Sequence, residues 1–510
     1  MFIKQIIGEN KTMATLFKRG SSRVWTIAGR AGPTHEPYYH QQGAAGTVSW
    51  GQGDVTKIEI PSDTQYNEWE QIDSFQNSPD RATTTIQVYE TEDRSTVYDL
   101  IRQRCPFDVQ FHLGQCSEPR DFDLGWEKVK IFEDSRGTSY DTSEQGAMEG
   151  SNQGTITEDL PISAKDVYDI LRMTYREVAK DEVGEIVTAV SVCDGIACGD
   201  CDESSDGCQR IIALCDSATS SPGILPQLVI TTDQFGTNAI IESFLSSFTI
   251  GEHANDGDCV GPYYVAVSYD GESIHYATLE ELVLGTETWA EVTEGFVAGA
   301  GPNAIWNYSP SLSILVGVNG YVYIMKNPAD GVTVLDAGST TTEDLNDVEG
   351  YGTENIAAVG DNGAFIYSTD GANFTLGTAP SGPTDLYAVA YRKEKEIWIG
   401  GDAGSVYVTT NYGLSYTTKA LPGSLTQIDK IHWNNETVGY IAGRTASAGK
   451  ILRTINGGYS WYVVPEAARL TIPANDYLTS LATCEKEPNK VFAGGLADNA
   501  SDGILIKGSD

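Results

Sequence analysis

Two stretches in the second half of the chain decide the fold. Residues 358–374 read AVGDNGAFIYSTDGANF, and residues 399–416 read IGGDAGSVYVTTNYGLSY. Each holds an apolar strand, a turn built on Asp and Gly, a second strand, and a turn that begins with Ser or Thr. Because both stretches follow one pattern and their starts lie 41 residues apart, we interpret them as copies of one repeat.

The same pattern occurs seven times in the last part of the chain. Successive copies start 52, 52, 43, 41, 42 and 51 residues apart, which is the length of one four-stranded blade of a β-propeller. We therefore predict a propeller of about seven blades over residues 210–510. The copies are residues 211–238, 263–276, 315–332, 358–374, 399–416, 441–461 and 492–510.

The clearest copies end in a turn of recognisable sequence. Residues 454–461 read TINGGYSW and residues 409–416 read TTNYGLSY, close to the pattern Ser/Thr-x-Asp-x-Gly-x-Ser/Thr-Trp. We expect the Asp or Asn to cap its own backbone, the Gly to take a positive φ, and the aromatic residue to pack between neighbouring sheets. The residues predicted to build such structural turns are Asp270, Asp370, Asn411, Gly413, Asn456, Gly458 and Trp461.

These repeats resemble the Asp-box (BNR) propellers of sialidases, sortilin-type receptors and photosystem-assembly factors. In those families the box is a structural turn at the blade edge, so the resemblance implies a structural role here. Sialidases also use an arginine triad and a Tyr–Glu nucleophile pair. Arg444, Arg453 and Arg469 occur in this propeller, but no Arg-Ile-Pro-like entry precedes the blades. We predict no catalytic residues and no enzyme activity, with a glycan hydrolase as the less favoured alternative.

Residues 14–190 lack the repeat and predict a separate β-rich domain. Short helices are predicted after Asp93 or Ser95 and over 163–171, and the polar stretch 133–155 predicts a long loop. The fold class is therefore all-β dominated: a β-sandwich or barrel with one or two short helices, followed by the propeller. The strands predicted in the first domain are residues 55–60, 83–89, 107–113, 126–132 and 155–162.

The order of these elements resembles the tail-tube proteins of long-tailed bacteriophages and related injection machines. That resemblance implies a virion structural protein whose first domain forms homo-oligomeric, hexameric rings that stack into a tube beside other virion tail proteins. The propeller would then face outward and contact a host-surface glycan or protein. A propeller adhesin or docking factor that forms no tube is the alternative.

A cysteine cluster occupies residues 191–222, which we interpret as a connector. Cys198 and Cys201 form a C-x-x-C pair that could join two further thiolates around a tetrahedral zinc ion, although the second C-x-x-C of a zinc ribbon is missing. Disulfides, zinc and free thiols therefore all remain open, and no other cofactor is predicted. The five clustered cysteines are Cys193, Cys198, Cys201, Cys208 and Cys215.

The net charge of the chain limits the classes of partner that it can bind. The chain has 33 Lys plus Arg against 71 Asp plus Glu, a formal net charge of −38. Such a field repels phosphate backbones, so we predict no nucleic-acid reading.

No window approaches the roughly 18 apolar residues of a membrane span, and the first residues lack the features of a signal peptide. We expect synthesis in a host cytoplasm and a location in the virion tail.

Overall fold

The computed structural model of the chain divides into two compact units, Met1–Arg172 and Met173–Asp510. Both are built almost entirely from antiparallel strands. The structure describes residues 23–28, 38–43, 45–51, 57–61, 71–76, 82–89, 107–113, 128–137, 141–145, 155–164, 166–179, 186–193, 210–216, 225–232, 241–249, 252–309, 312–326, 333–446, 448–465, 477–484, 487–497 and 502–509.

The first unit contains a nine-stranded antiparallel sheet and a separate hairpin of β4 and β5. The sheet order is β2-β1-β7-β8-β10-β6-β3, with β11 also paired to β8 and β9 to β10. In β8, buried Val129 and Ile131 alternate with the partly exposed Lys128 and Lys130, whereas β7 is buried throughout residues 107–110. The strands are β1 Arg23–Ala28, β2 Tyr38–Gly43, β3 Ala45–Gly51, β4 Lys57–Pro61, β5 Gln71–Gln76, β6 Ala82–Tyr89, β7 Phe107–Leu113, β8 Lys128–Gly137, β9 Asp141–Gln145, β10 Thr155–Ala164 and β11 Asp166–Leu171.

The helix predicted over 163–171 is wrong, because β10 continues to Ala164 and β11 spans Asp166–Leu171. β11 pairs along its whole length with β8. The Asp169 carboxylate also lies 2.5 Å from Lys128 Nζ and 2.7 Å from Lys130 Nζ on that strand. So short a helix is marginal on its own, and pairing with an existing sheet overrides the local preference.

The long loop predicted over 133–155 is also wrong in part. β8 runs on to Gly137, and β9 pairs with β10 through a polar segment. Ladder hydrogen bonds need no apolar side chain, and polar residues are common on strands at the edge of a sheet. The helix predicted after Ser95 lies outside the described residues.

The second unit is a seven-bladed propeller, which confirms the predicted fold class. Seven four-stranded antiparallel sheets follow one another, and the first strands of consecutive blades contact each other around a ring that blade 7 closes against blade 1. We call these first strands the inner strands; the second, third and outer strands follow toward the rim.

The blades have the following strands, given from inner to outer. Blade 1 is β13 Ile186–Cys193, β14 Arg210–Asp216, β15 Gln227–Thr231 and β16 Ile241–Phe244; blade 2 is β17 Asp256–Val260, β18 Tyr263–Ser268, β19 Ser273–Thr278 and β20 Ala290–Val292; blade 3 is β21 Pro302–Ser309, β22 Leu312–Gly317, β23 Tyr321–Lys326 and β24 Thr333–Ser339; blade 4 is β25 Leu345–Tyr351, β26 Asn355–Gly360, β27 Phe365–Ser368 and β28 Thr375–Leu376. Blade 5 is β29 Leu386–Lys393, β30 Glu396–Gly401, β31 Val406–Thr409 and β32 Thr417–Lys419; blade 6 is β33 Gln427–Trp433, β34 Gly439–Arg444, β35 Gly449–Thr454 and β36 Tyr462–Val463; blade 7 is β37 Tyr477–Cys484, β38 Glu487–Ala497, β39 Asp502–Ser509 and β12 Thr174–Ala179. In blade 2, helix α1 Leu279–Leu284 follows β19, capped by Thr278.

The propeller is closed by a strand from its own beginning. β12 pairs with β39 and supplies the outer strand of blade 7, so the last blade joins the two ends of the unit. The boundary at Arg172 differs from the predicted one, which assigned β12 and most of β13 to the first domain. The repeat seen in the sequence covers the second and third strands of each blade, and inner and outer strands carry less of the pattern.

Four blades are also hydrogen-bonded to the next blade at a β-bulge. The inner strands of six blades, all but blade 2, shift register after their first or second paired residue. Four of the bulged side chains donate a hydrogen bond to a carbonyl at the start of the next inner strand. These bonds are Thr188 to Ala254, Asn303 to Leu345, Asn346 to Leu386 and, between blades 7 and 1, Thr479 to Val187.

Candidate functional site

Charged side chains gather on the inner strands of alternate blades. Asp347 in blade 4 and Lys430 in blade 6 directly follow the bulge, and Asp256 has the same place in blade 2. Two residues further along each strand, on the same face, comes a second titratable residue. We call this set the inner-strand cluster, and its members are Asp256, Asp258, Asp347, Glu349, Lys430 and His432.

Hydrogen bonds between blades hold the carboxylates of the cluster in place. Asp256 Oδ2 accepts the backbone N–H of Ile305 at 3.0 Å, and Asp347 Oδ2 accepts that of Val389 at 2.8 Å. In both cases the donor belongs to the inner strand of the next blade. These two acids therefore add hydrogen bonds between consecutive blades, and Asp256 Oδ1 also accepts the backbone N–H of Gly257 at 2.9 Å.

Within the inner-strand cluster, one lysine forms an ion pair with a carboxylate. Lys430 Nζ lies 2.7 Å from Asp347 Oδ1, so the chain's own lysine neutralises Asp347. The ion pair with Asp347 raises the pKa of Lys430 although burial opposes this shift. Burial and the Lys430 charge lower the pKa of His432 to about 4, so this imidazole is neutral at pH 7.

The other acids of the cluster lack such a partner, and their pKa values reflect it. Burial raises the pKa of Asp256 to about 6 and that of Asp258 to about 7. Burial and the neighbouring Asp347 charge raise the pKa of Glu349 to about 8. An external cation would stabilise the ionised form of these carboxyls. Within the described residues, however, no group of three or more His, Cys, Asp or Glu side chains could hold a metal ion.

The predicted turns in blades 5 and 6 share one hydrogen-bond pattern. In blade 6, Thr454 Oγ1 donates to Asn456 Oδ1 at 2.8 Å, and the Gly458 N–H donates back to Thr454 Oγ1 at 3.0 Å. The Ser460 N–H donates to Asn456 Oδ1 at 3.0 Å. Blade 5 repeats these bonds with Thr409, Asn411, Gly413 and Ser415. Gly413 and Gly458 have φ of 85° and 79°.

Asp370 builds a shorter version of this turn in blade 4. Its carboxylate accepts the N–H groups of Ala372 and Asn373 at 3.0 and 2.8 Å. Hydrogen bonds from the Asn373 side chain and these backbone groups hold the pKa of Asp370 well below its usual range. All three turns join the third strand of a blade to its outer strand, and their polar groups are used within the turn.

Trp461 fixes its turn to two blades. Its ring centroid lies 6.0 Å from that of Trp398 in blade 5 and 5.7 Å from that of Trp433 in blade 6. A Cβ on Gly458 would lie 2.1 Å from the Trp398 ring, so only glycine fits there. These residues form part of the core between blades 5 and 6, which gives the turn a structural role.

The turn at Asp270 has a different place in its blade. Ser268 Oγ donates to Asp270 Oδ1 at 3.0 Å, as in the other turns. This turn joins the second and third strands of blade 2, at the opposite end of the blade from the turns of blades 4 to 6. Asp270 also accepts the N–H of His253 and so binds the connection from blade 1. Tight turns of both kinds use the same residues, so the sequence did not distinguish them.

The cysteines do not form a separate connector. β13 and β14 of blade 1 occupy both ends of residues 191–222, so the segment joins the inner and second strands of one blade. Cys215 is buried in the core between blades 7 and 1, and Cys259 in blade 2 is disulfide-bonded. Cys198, Cys201 and Cys208 lie outside the described residues, so zinc at this cluster stays a prediction.

Of the three arginines considered for a carboxylate-binding triad, the structure describes Arg444 and Arg453. Arg444 forms an ion pair with Asp429 and stacks 4.0 Å above the Tyr477 ring. Arg453 is fully buried, with its guanidinium 5.5 Å from the centre of the Tyr440 ring. Arg469 lies outside the described residues. The two described arginines are therefore used in packing between strands.

The chain is similar in fold to solved structures of other proteins. The chain is similar to YCF48 from Cyanidioschyzon merolae (13% identity, 66% of this chain and 98% of that one, TM-score 0.46). It is also similar to a catalytically inactive variant of virginiamycin B lyase from Staphylococcus aureus bound to quinupristin (10% identity, 66% and 99%, TM-score 0.50). No protein-family model matches the chain, and no curated protein matches it.

Among the helices that the structure describes, none is long and apolar enough to cross a bilayer.

Proposed function

We propose that the chain is a virion structural protein whose first unit assembles into stacked tail-tube rings and whose propeller is displayed for contact with a host surface. The observation that supports this division of roles is the closure of the propeller by β12. All strands of the seven blades come from residues 174–509. The propeller can therefore be complete on a chain whose first 172 residues are engaged in assembly.

Negative-stain electron microscopy of the purified full-length chain tests this proposal. A chain ending at Arg172 is the informative comparison, because an end near residue 190 would leave β12 and part of β13 as unpaired strands that promote aggregation. We expect rings or stacked tubes in both samples and protruding knobs only in the full-length sample. A full-length chain that stays monomeric at high concentration would contradict tube formation and favour the adhesin or docking alternative.

For the propeller we propose binding without hydrolysis. The supporting observation is the use of Arg444 and Arg453 in packing, which leaves these two arginines unavailable to hold a substrate carboxylate. Incubation of the full-length chain with sialosides and bacterial polysaccharides should give no new reducing ends. Turnover that persists after further purification would contradict this part of the proposal.

A further inference from the structure

A serine, a histidine and a glutamate form one hydrogen-bonded row where blade 1 connects to blade 2. Ser247 and Glu252 belong to the connection between β16 and β17, and His275 belongs to β19 of blade 2. Ser247 Oγ lies 2.8 Å from His275 Nδ1, and His275 Nε2 lies 3.2 Å from Glu252 Oε1. The imidazole therefore has the hydroxyl on one ring nitrogen and the carboxylate on the other.

The carboxylate of this row is ionised and held in place. Burial opposes its ionisation, but hydrogen bonds from His275 and Thr249 lower the pKa of Glu252 to about 2. Glu252 Oε2 accepts the backbone N–H and the hydroxyl of Thr249 at 2.9 and 3.0 Å. A Cβ on Gly271 would lie 1.8 Å from Glu252 Oε1. Glycine at this position is therefore what leaves room for the carboxylate.

The hydrogen bonds assign the proton of the neutral imidazole to Nε2. Ser273 Oγ donates to Glu252 Oε1 at 3.1 Å, so its lone pair and the carboxylate both face Nε2 of His275 as acceptors. Nδ1 then carries the lone pair and accepts the Ser247 hydroxyl proton. A serine on the lone pair of an imidazole whose N–H faces a buried carboxylate is the arrangement that activates a nucleophile. The two ring nitrogens are exchanged relative to the Ser-His-Asp template, which leaves the proton path unchanged.

Ser247 is the member of the row that faces solvent. It is half-buried between the exposed Ser246 and the buried Phe248, whose ring stacks 3.7 Å from the His275 ring. His275 and Glu252 are 0% and 8% exposed, so a substrate meets the row at Ser247. The Ser247 backbone N–H donates no hydrogen bond to the described residues. It can therefore donate to the oxyanion that forms when the hydroxyl attacks a carbonyl group.

We infer that Ser247, His275 and Glu252 form a nucleophilic site that hydrolyses small carboxylic esters. Ser247 Oγ bonds to the ester carbonyl carbon, and its proton passes to His275 Nδ1. The bond from that carbon to the alcohol oxygen then breaks, and the alcohol leaves with this proton. A water molecule attacks the acyl-serine in the same way and releases the carboxylic acid and the free serine. Glu252 is a positioning residue, because it contacts the imidazole and not the ester.

Acetyl esters are the expected substrates. Ser247 lies in a tight turn in which the Phe248 N–H donates to the Leu245 carbonyl at 3.1 Å, and an acyl group of two carbons needs no deep acyl pocket there. This activity goes beyond the proposed display of the propeller and is compatible with it. Ester cleavage breaks no glycosidic bond and so gives no new reducing end.

Labelling of the full-length chain with a fluorophosphonate, followed by peptide mass spectrometry, tests the site, because this reagent bonds to activated serines. We expect the label on Ser247 in the native wild type and not in the urea-unfolded chain. For hydrolysis of p-nitrophenyl acetate, Ser247→Ala should lower kcat/KM roughly 100-fold or more. Glu252→Gln should lower kcat roughly tenfold or more with little change in KM, since Glu252 does not contact the ester.

Ser246→Ala is the matched control, because Ser246 is the exposed neighbour in the same turn and has no part in the row. It should keep the label on Ser247 and the wild-type rate. A native wild type without label on Ser247, or a Ser247→Ala variant that hydrolyses the ester as fast as the wild type, would overturn the inference. Micrographs of the same samples separate the two proposals: rings without hydrolysis reject only the site, and hydrolysis without rings rejects only the tube.

Discussion

Lys430 on the inner strand of blade 6 forms an ion pair with Asp347 on the inner strand of blade 4, with 2.7 Å between Nζ and Oδ1. The contact passes the inner strand of blade 5, whose Val389 N–H donates to the second oxygen of the same carboxylate. One carboxylate thus connects the inner strands of three consecutive blades, 4, 5 and 6. Only 4% of the Asp347 side chain is exposed, against 25% of Lys430, so the acid depends on its partner more than the lysine does.

Lys430→Met should lower the stability of the propeller by about 2–4 kcal/mol, because it leaves the buried Asp347 charge without a partner. Thermal unfolding followed by near-UV circular dichroism measures this loss. Lys395→Met is the control, since Lys395 is 56% exposed and its contact with Glu394 is at the surface; it should change stability little. Adding Asp347→Asn to Lys430→Met should restore part of the loss. If the single variant unfolds like the wild type, the ion pair has no stabilising role.

The sequence predicted the blades but not the inner-strand cluster. The second and third strands were visible because their hairpins repeat turn residues such as Asn362 and Gly404 at local spacing. Asp347 and Lys430, by contrast, are 83 residues apart, and only ring closure brings them together. A signal existed in the D-x-D of 256–258, the D-x-E of 347–349 and the K-x-H of 430–432, each a short distance before a recognised repeat. Without the ring geometry, nothing relates these pairs to one another.

The stability of the propeller should fall as the pH rises from about 6.5 to 8.5. The folded state keeps protons on Asp258, with a pKa of about 7, and on Glu349, with a pKa of about 8. In the unfolded chain both carboxyls have lost their protons above about pH 5. Because the folded state then binds more protons, the free energy of unfolding decreases with pH until both groups have ionised.

Glu349→Gln should remove most of the part of this decrease above pH 7, since Gln does not ionise. Its midpoint of thermal unfolding should equal that of the wild type near pH 6 and exceed it near pH 8.5. Glu354→Gln, at an exposed position of the same blade, should leave the wild-type pH profile unchanged. Parallel profiles for Glu349→Gln and the wild type would show that Glu349 is ionised at neutral pH.

Trp461→Ala should destabilise the propeller by about 3–5 kcal/mol, the range for a large aromatic residue removed from a core. The substitution leaves a cavity between Trp398 and Trp433, which belong to different blades. Denaturant unfolding followed by tryptophan fluorescence measures the loss. Leu414→Ala tests the surface of the equivalent turn in blade 5, where the side chain is 84% exposed, and should have almost no effect. Similar losses in the two variants would contradict the interblade role of Trp461.

The disulfide at Cys259 should join the inner strands of blades 1 and 2. Thr188 Oγ1 donates to the Ala254 carbonyl and Ser191 Oγ to the Gly257 carbonyl, both across a sequence separation of 66. The same separation relates Cys259 to Cys193, the last residue of β13. We therefore expect non-reducing peptide mapping to find Cys193 linked to Cys259.

Such a bond decides between the chemistries left open for the cysteine cluster. A four-thiolate zinc site needs Cys193 together with Cys198, Cys201 and Cys208, and a disulfide to Cys259 removes one of the four ligands. The preparation should then contain no stoichiometric zinc by elemental analysis. Closing a loop of this length is worth about 4 kcal/mol in the chain-entropy account, so reductant should lower the unfolding midpoint of the wild type but not of Cys259→Ser. Bound zinc, or a wild-type unfolding midpoint that does not change with reductant, would contradict the cross-link.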